Sequence, residues 1–141
     1  MSSAYRPAPR TILCITDDEA ILRYEKALLE RSGYLVLTAT SKEQAINLVA
    51  MCRCDAVLLD YEMVGLNGHG VASEIKRVRP ELMFVLLSGS AVPPHSLALA
   101  DACVPKLEAS RQLLPTIAAL CSRFHDRKQE GRSTLQQESA E

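Results

Sequence analysis

The sequence predicts an α/β domain in which a doubly wound parallel sheet of five strands carries helices on both faces. Three observations lead there. Short apolar runs alternate five times with segments of helical period. Two of these runs, "DAVLL" at 55–59 and "LMFVLL" at 82–87, are apolar on both faces, as strands covered from both sides must be. Gly, Pro and short polar clusters mark the joints between runs and helices.

Each element has its own warrant. Thr11 to Thr16 reads as a buried first strand, and Glu19 to Arg31 as an amphipathic helix with Ile21, Leu22, Leu28 and Leu29 on one side. Gly33 stands where a glycine ends a helix. Tyr34 to Ala39 is the second strand. Ser41 and Gln44 have capping-box spacing, which starts a helix that runs to about Cys52. Asp55 to Leu59 is the third strand, and after a Gly-rich loop a helix runs from about Gly70 to Val78. Leu82 to Leu87 is the fourth strand. The loop "SGSAVPPHS" follows, then a short helical piece at Leu97 to Ala100, then a short fifth strand from Ala102 to Val104. The last helix runs from about Ser110 to Phe124 and shows Leu113, Ile117, Leu120, Cys121 and Phe124 on one face. Pro115 fits that helix only in its first turn, where a missing N–H leaves no bond unmade.

Bulk properties limit the function classes. The chain has 141 residues, 48% of them hydrophobic, and a formal net charge of -1. That is one domain with room for a core. No Lys/Arg cluster marks a nucleic-acid footprint, no apolar stretch has the length of a membrane span, and the N-terminus has no signal-peptide core. A cytoplasmic protein is the expectation. Five cysteines, Cys14, Cys52, Cys54, Cys103 and Cys121, are an odd number for a disulfide framework and lack the spacing of a zinc site, so they read as packing thiols. Residues 1–9 read as a flexible end, 10–125 as the domain, and 126–141 as a polar tail too short to form another.

In doubly wound sheets, ligands sit outside the carboxyl ends of the strands. Asp17 and Asp18 fall just past the first strand, Asp60 past the third, Ser88 past the fourth and Lys106 past the fifth. Carboxylates brought together at ~4 Å repel by about 4 kcal/mol per pair at an effective dielectric near 20. They must protonate or bind a cation. Oxygen donors suit Mg²⁺, which keeps waters and takes one or two carboxylates. A carboxylate is also a nucleophile towards phosphorus, and a Lys ammonium opposite Mg²⁺ would neutralise the transferring group.

These segments resemble the response-regulator receiver domain, the family of the bacterial chemotaxis regulator. "ITDDEA" is similar to its acidic pair. "LLDYEMVGLNG" is similar to its phospho-acceptor segment, with Met63 three residues and Gly68 eight residues after Asp60. "LLSG" resembles the strand-four hydroxyl segment, and "ADACVPK" the strand-five Lys segment. The resemblance implies a flavodoxin-like sheet of order 2-1-3-4-5. It implies Asp60 as phospho-acceptor, Ser88 as the switch hydroxyl and Lys106 as the phosphoryl-binding Lys. It further implies Mg²⁺ held by Asp17, Asp18, Asp60 and the backbone carbonyl of Glu62, whose side chain is not required. The implied partners are a sensor histidine kinase or phosphotransfer protein and a downstream protein, with no nucleic acid or membrane. The only implied turnover is the protein's own phosphorylation and dephosphorylation.

Four departures bear on output. Val64 stands where the family usually has Pro, and Leu107 rather than Pro follows the Lys. Cys103 stands where the family has its switch aromatic. The stretch from Ser88 to Lys106 is short and contains Pro93-Pro94, so the fourth helix is expected to be short or irregular. That helix, the fifth strand and the last helix form the family's usual partner face, so an altered readout is expected and a homodimer through this face is left open. Tyr61 is read either as a gate on Asp60 or as a cover for the loop, and His69, His95 and His125 as solvated. The runner-up function is a degenerate receiver that binds partners without phosphate. A haloacid-dehalogenase-like phosphatase would want Asp-x-Asp after the first strand, and a dinucleotide fold G-x-G-x-x-G there; neither pattern occurs.

Overall fold

The structure, a computed structural model, describes residues 9–62 and 68–123. Its elements are β1 (Thr11–Ile15), α1 (Glu19–Arg31), β2 (Leu35–Ala39), α2 (Lys42–Met51), β3 (Ala56–Asp60), α3 (Gly68–Val78), β4 (Met83–Ser88), α4 (Pro94–Leu97) and β5 (Ala102–Pro105). A 3-10 turn, Lys106–Glu108, leads into α5 over 109–123. The strands form one sheet in the order β2-β1-β3-β4-β5, with every pairing parallel, as the sequence predicts.

The alternation of side chains divides the core. Leu13, Ile15, Val57, Leu59, Phe84 and Leu86 face α2 and α3, where Ala45, Val49, Val71, Ala72 and Ile75 meet them. Ile12, Cys14, Leu58, Met83, Val85, Leu87 and Val104 face α1 and α5, where Leu29, Leu113, Ile117, Leu120 and Cys121 close over them. Local chemistry fixes the ends. Asp18 caps α1 by accepting from the Ala20 and Ile21 amides, and Gly33 follows that helix at φ 92. Ser41 caps α2 by accepting from the Gln44 amide, while Gln44 reaches back to the amide of Thr40 rather than to that of Ser41. At the far edge of the sheet, Asp55 accepts from the Thr11 amide and Asp101 from the Phe84 amide, so both carboxylates tie neighbouring strand starts together.

Two expectations need correction. The short fourth helix is Pro94–Leu97 rather than 97–100, because Pro94 occupies its first turn, where its fixed φ favours a helix start. Pro115 lies well inside α5, which begins at 109, so the N–H that would bond the Arg111 carbonyl is missing from the helix interior. Pro115 is exposed, which places the defect on the solvent side. Residues 1–8, Met63, Val64, Gly65 and the stretch from Phe124 through His125 and the polar tail lie outside the described residues.

Candidate functional site

The parallel register brings the ends of β1, β3, β4 and β5 to one edge. Ile15 pairs with Leu59, Asp60 with Leu87, and Ser88 with Pro105. Asp60, the last residue of β3, is 2% exposed. A lone buried carboxylate is costly, and this one is fully partnered. Lys106 Nζ stands 2.9 Å from Oδ1, and the Glu62 amide donates to the same oxygen at 3.2 Å. The hydroxyl of Thr16 donates to Oδ2 at 2.9 Å. Leu107 in place of Pro therefore does not keep Lys106 from Asp60; the residues after Lys106 wind into the 3-10 turn.

Thr16 is a site residue that the sequence reading missed. It is buried, and its Oγ1 also accepts from the Asp18 amide at 3.1 Å, joining the acidic loop to Asp60. Its signal was a hydroxyl at the end of an otherwise apolar run. Asp18 itself is exposed and spends Oδ1 on the α1 cap, while Asp17 is half-buried with no side-chain partner among the described residues. Among the described residues no three His, Cys, Asp or Glu side chains converge as a metal cage. What remains is a sparse set of hard oxygen donors, the Asp17 carboxylate, the second Asp18 oxygen and the Glu62 carbonyl. That set fits a cation that keeps most of its waters, as Mg²⁺ does.

The Glu62 side chain, which the implied Mg²⁺ site does not require, makes contacts of its own. Its Oε1 lies 2.8 Å from Ser88 Oγ and accepts from the Ser90 amide at 3.1 Å and from the Gly89 amide. Ser88 Oγ is also 2.7 Å from the Ser90 carbonyl, so one proton is shared between two acceptors. The Ser88 hydroxyl, then the Gly89 amide, holds the Glu62 carboxyl below its ordinary value. Sequence spacing carries no signal for this contact, which spans 26 to 28 residues.

Beside the acceptor, the Tyr61 hydroxyl is 2.9 Å from the buried Ser96 Oγ, and the Tyr61 ring packs against the α2/α3 half of the core. Tyr61 therefore braces α4. His69 Nδ1 is also 2.9 Å from Ser96 Oγ, its Nε2 is 3.3 Å from Ser73 Oγ, and its ring meets the His95 ring edge-on. His69 is thus a structural group rather than a solvated one. Gly68 is required where it stands, because any Cβ there would collide with the Tyr61 carbonyl. Cys103 is exposed on β5. Glu25 is fully buried on α1, neither carboxyl oxygen has a hydrogen-bond partner among the described residues, and burial pushes its carboxyl up to about 8.

The edge thus sets a buried carboxylate beside an ammonium, next to a β4 loop whose hydroxyl and amides hold a second carboxylate. The chain belongs to the response regulator receiver domain family, which it matches over residues 12–114. It is 33% identical over 119 residues to the response regulator MprA of Mycolicibacterium vanbaalenii, covering 82% of this chain and 52% of that one. It is 30% identical over 117 residues to the response regulator SaeR of Staphylococcus aureus, covering 80% and 51%. The chain thus spans about half the length of the curated relatives it matches. A CheY-like receiver domain from Methanospirillum hungatei superposes with TM-score 0.78 at 25% identity, over 84% of this chain and 98% of that one. The response regulator TrrA from Thermotoga maritima, solved in complex with Mg(2+)-BeF, gives 0.73 at 29%, over 79% and 98%. The protein is therefore a receiver domain of two-component signalling, a class that is generally non-catalytic. No helix among the described residues is long and apolar enough to cross a membrane.

Proposed function

We propose that the domain accepts a phosphoryl group on Asp60 from a sensor histidine kinase or phosphotransfer protein and thereby changes its affinity for a downstream protein. The observation that carries this reading is the buried Asp60 carboxylate with Lys106 Nζ 2.9 Å from it at the carboxyl edge of the sheet. An Asp60 oxygen attacks phosphorus; its new P–O bond forms as the P–N bond to the donor histidine breaks, and the imidazole leaves with the electron pair and takes up a proton. Lys106 screens the charge that accumulates on the phosphoryl oxygens, and Ser88 donates a hydrogen bond to one of them. Asp17, Asp18 and the Glu62 carbonyl would hold a hydrated Mg²⁺ ion, which when bound neutralises further negative charge at the same group. Turnover is confined to the domain's own phosphorylation and dephosphorylation.

With Mg²⁺ and acetyl phosphate, intact mass spectrometry is expected to show one added phosphoryl group, absent in Asp60→Asn. A folded, Mg²⁺-binding protein that gains no mass would refute this reading. It would favour a phosphate-independent binding module, which the exposed Cys103 in the place of a switch aromatic already supports.

A further inference from the structure

This inference rests on the acceptor role of Asp60. A phosphoryl group there needs the donors that the β4 loop offers: the Ser88 hydroxyl and the neighbouring amides. In the unmodified protein those donors are taken. One oxygen of Glu62 collects the Ser88 hydroxyl and the Gly89 and Ser90 amides. Hydrogen bonds to an ionised oxygen are the strong kind, and amides aimed at one point form an anion-binding concavity. The loop leaves room for this carboxylate. A Cβ on Gly89 would stand 3.3 Å from Oε1, tighter than most such contacts, and 3.6 Å from Oε2, an ordinary contact. The same Cβ would lie 3.6 Å from Lys106 Cδ, so the Glu62 carboxylate and the Lys106 stem flank one small opening. Lys106 reaches from there to Asp60, with Nζ 2.9 Å from Oδ1, and Glu62 follows Asp60 by two residues.

We propose that the Glu62 carboxylate is a built-in competitor for the phosphoryl group: it occupies the hydroxyl-and-amide site at the end of β4 and must swing out before a phosphoryl group on Asp60 can use that site. Glu62 is exposed, so the displaced side chain moves into water without breaking the core. The tethered carboxylate is always present, so it lowers the apparent affinity for any phosphoryl ligand by the fraction of molecules in which the site is free. It also holds the β4 loop in an anion-bound arrangement before any phosphate arrives.

The test measures binding of beryllium fluoride, a phosphoryl analogue, with Mg²⁺ present, to the native chain, Glu62→Ala and Glu62→Asp. Mg²⁺ affinity is measured separately, and Asp60→Asn serves as the negative control. If nine molecules in ten hold the contact, both Glu62 variants should bind about tenfold more tightly than the native chain. Glu62→Asp separates contact from charge, because it keeps the negative charge but falls short of the β4 loop. Without any ligand, the Gly89 and Ser90 amide proton resonances should move upfield in both variants as their charged acceptor is lost. Equal affinities in all three proteins, or a gain in Glu62→Ala alone, would overturn the competitor and leave the acceptor role standing. No binding by any of them, with Mg²⁺ still bound, would overturn both.

Discussion

Glu25 lies on the α1 face that packs against the sheet, three residues after Leu22 and four before Leu29, where helical spacing calls for an apolar side chain. Its burial raises the carboxyl from 4.5 to about 8; the Cys14 thiol and Lys106 pull it down and Asp60 pushes it up. The fold therefore holds a proton that the unfolded chain releases above pH 4.5. Stability from this group is complete below that pH and is lost as pH rises towards 8. Glu25→Leu should remove the slope and raise stability at pH 8 by about 2–4 kcal/mol. Urea unfolding at pH 5 and pH 8 checks it, and an unchanged slope in the variant would reject the assignment. Asp60, Ser88 and Lys106 were legible because each is a polar residue at the end of an apolar run. Glu25 was not, because a charged residue in a helix reads as solvent-facing unless its neighbours' packing is known. Glu62 was not, because a carboxylate two residues past a strand reveals nothing about a loop on the next strand.

At the scale of elements, α4 has only four residues, too few to hold a helix by its own hydrogen bonds. It is held from outside, by Ser96 bridging Tyr61 of the acceptor loop and His69 of α3. Ser96→Ala leaves both partners without their bond. It should cost about 1–3 kcal/mol and speed amide exchange at residues 96–98. Exchange at the native rate would show that α4 has another anchor. The brevity of this helix was readable in Pro93-Pro94, but its position was not. Both prolines looked like breakers, whereas a proline at the first helical position is a starter. Pro115 misled in the opposite sense, since the packing of Leu113 and Ile117 keeps α5 helical through it.

For the whole molecule, each of the three central strands contributes side chains to both halves of the core, so neither half can dissolve while the other stands. Denaturation should be one cooperative transition. Tyr34 packs against the α1/α5 half and Tyr61 against the α2/α3 half, so, with Tyr5 and Tyr24 also replaced by Phe, Tyr34→Phe and Tyr61→Phe let fluorescence follow each face. The two midpoints should coincide, and a separation above about 0.5 M urea would mean that the faces melt apart. The alternation of strands and helices was fully legible, because parallel strands must be apolar on both sides; the order of the strands came only from resemblance to a family. The abbreviated α4 has one more consequence. β5 ends the sheet, and much of it is uncovered. A bare strand edge invites another chain to add itself and begin a fibril. Here the edge is four residues long and closes on Pro105, which has no N–H to offer an incoming strand. The residue that leads the chain up to Lys106 thus also protects the protein from self-association through its own backbone.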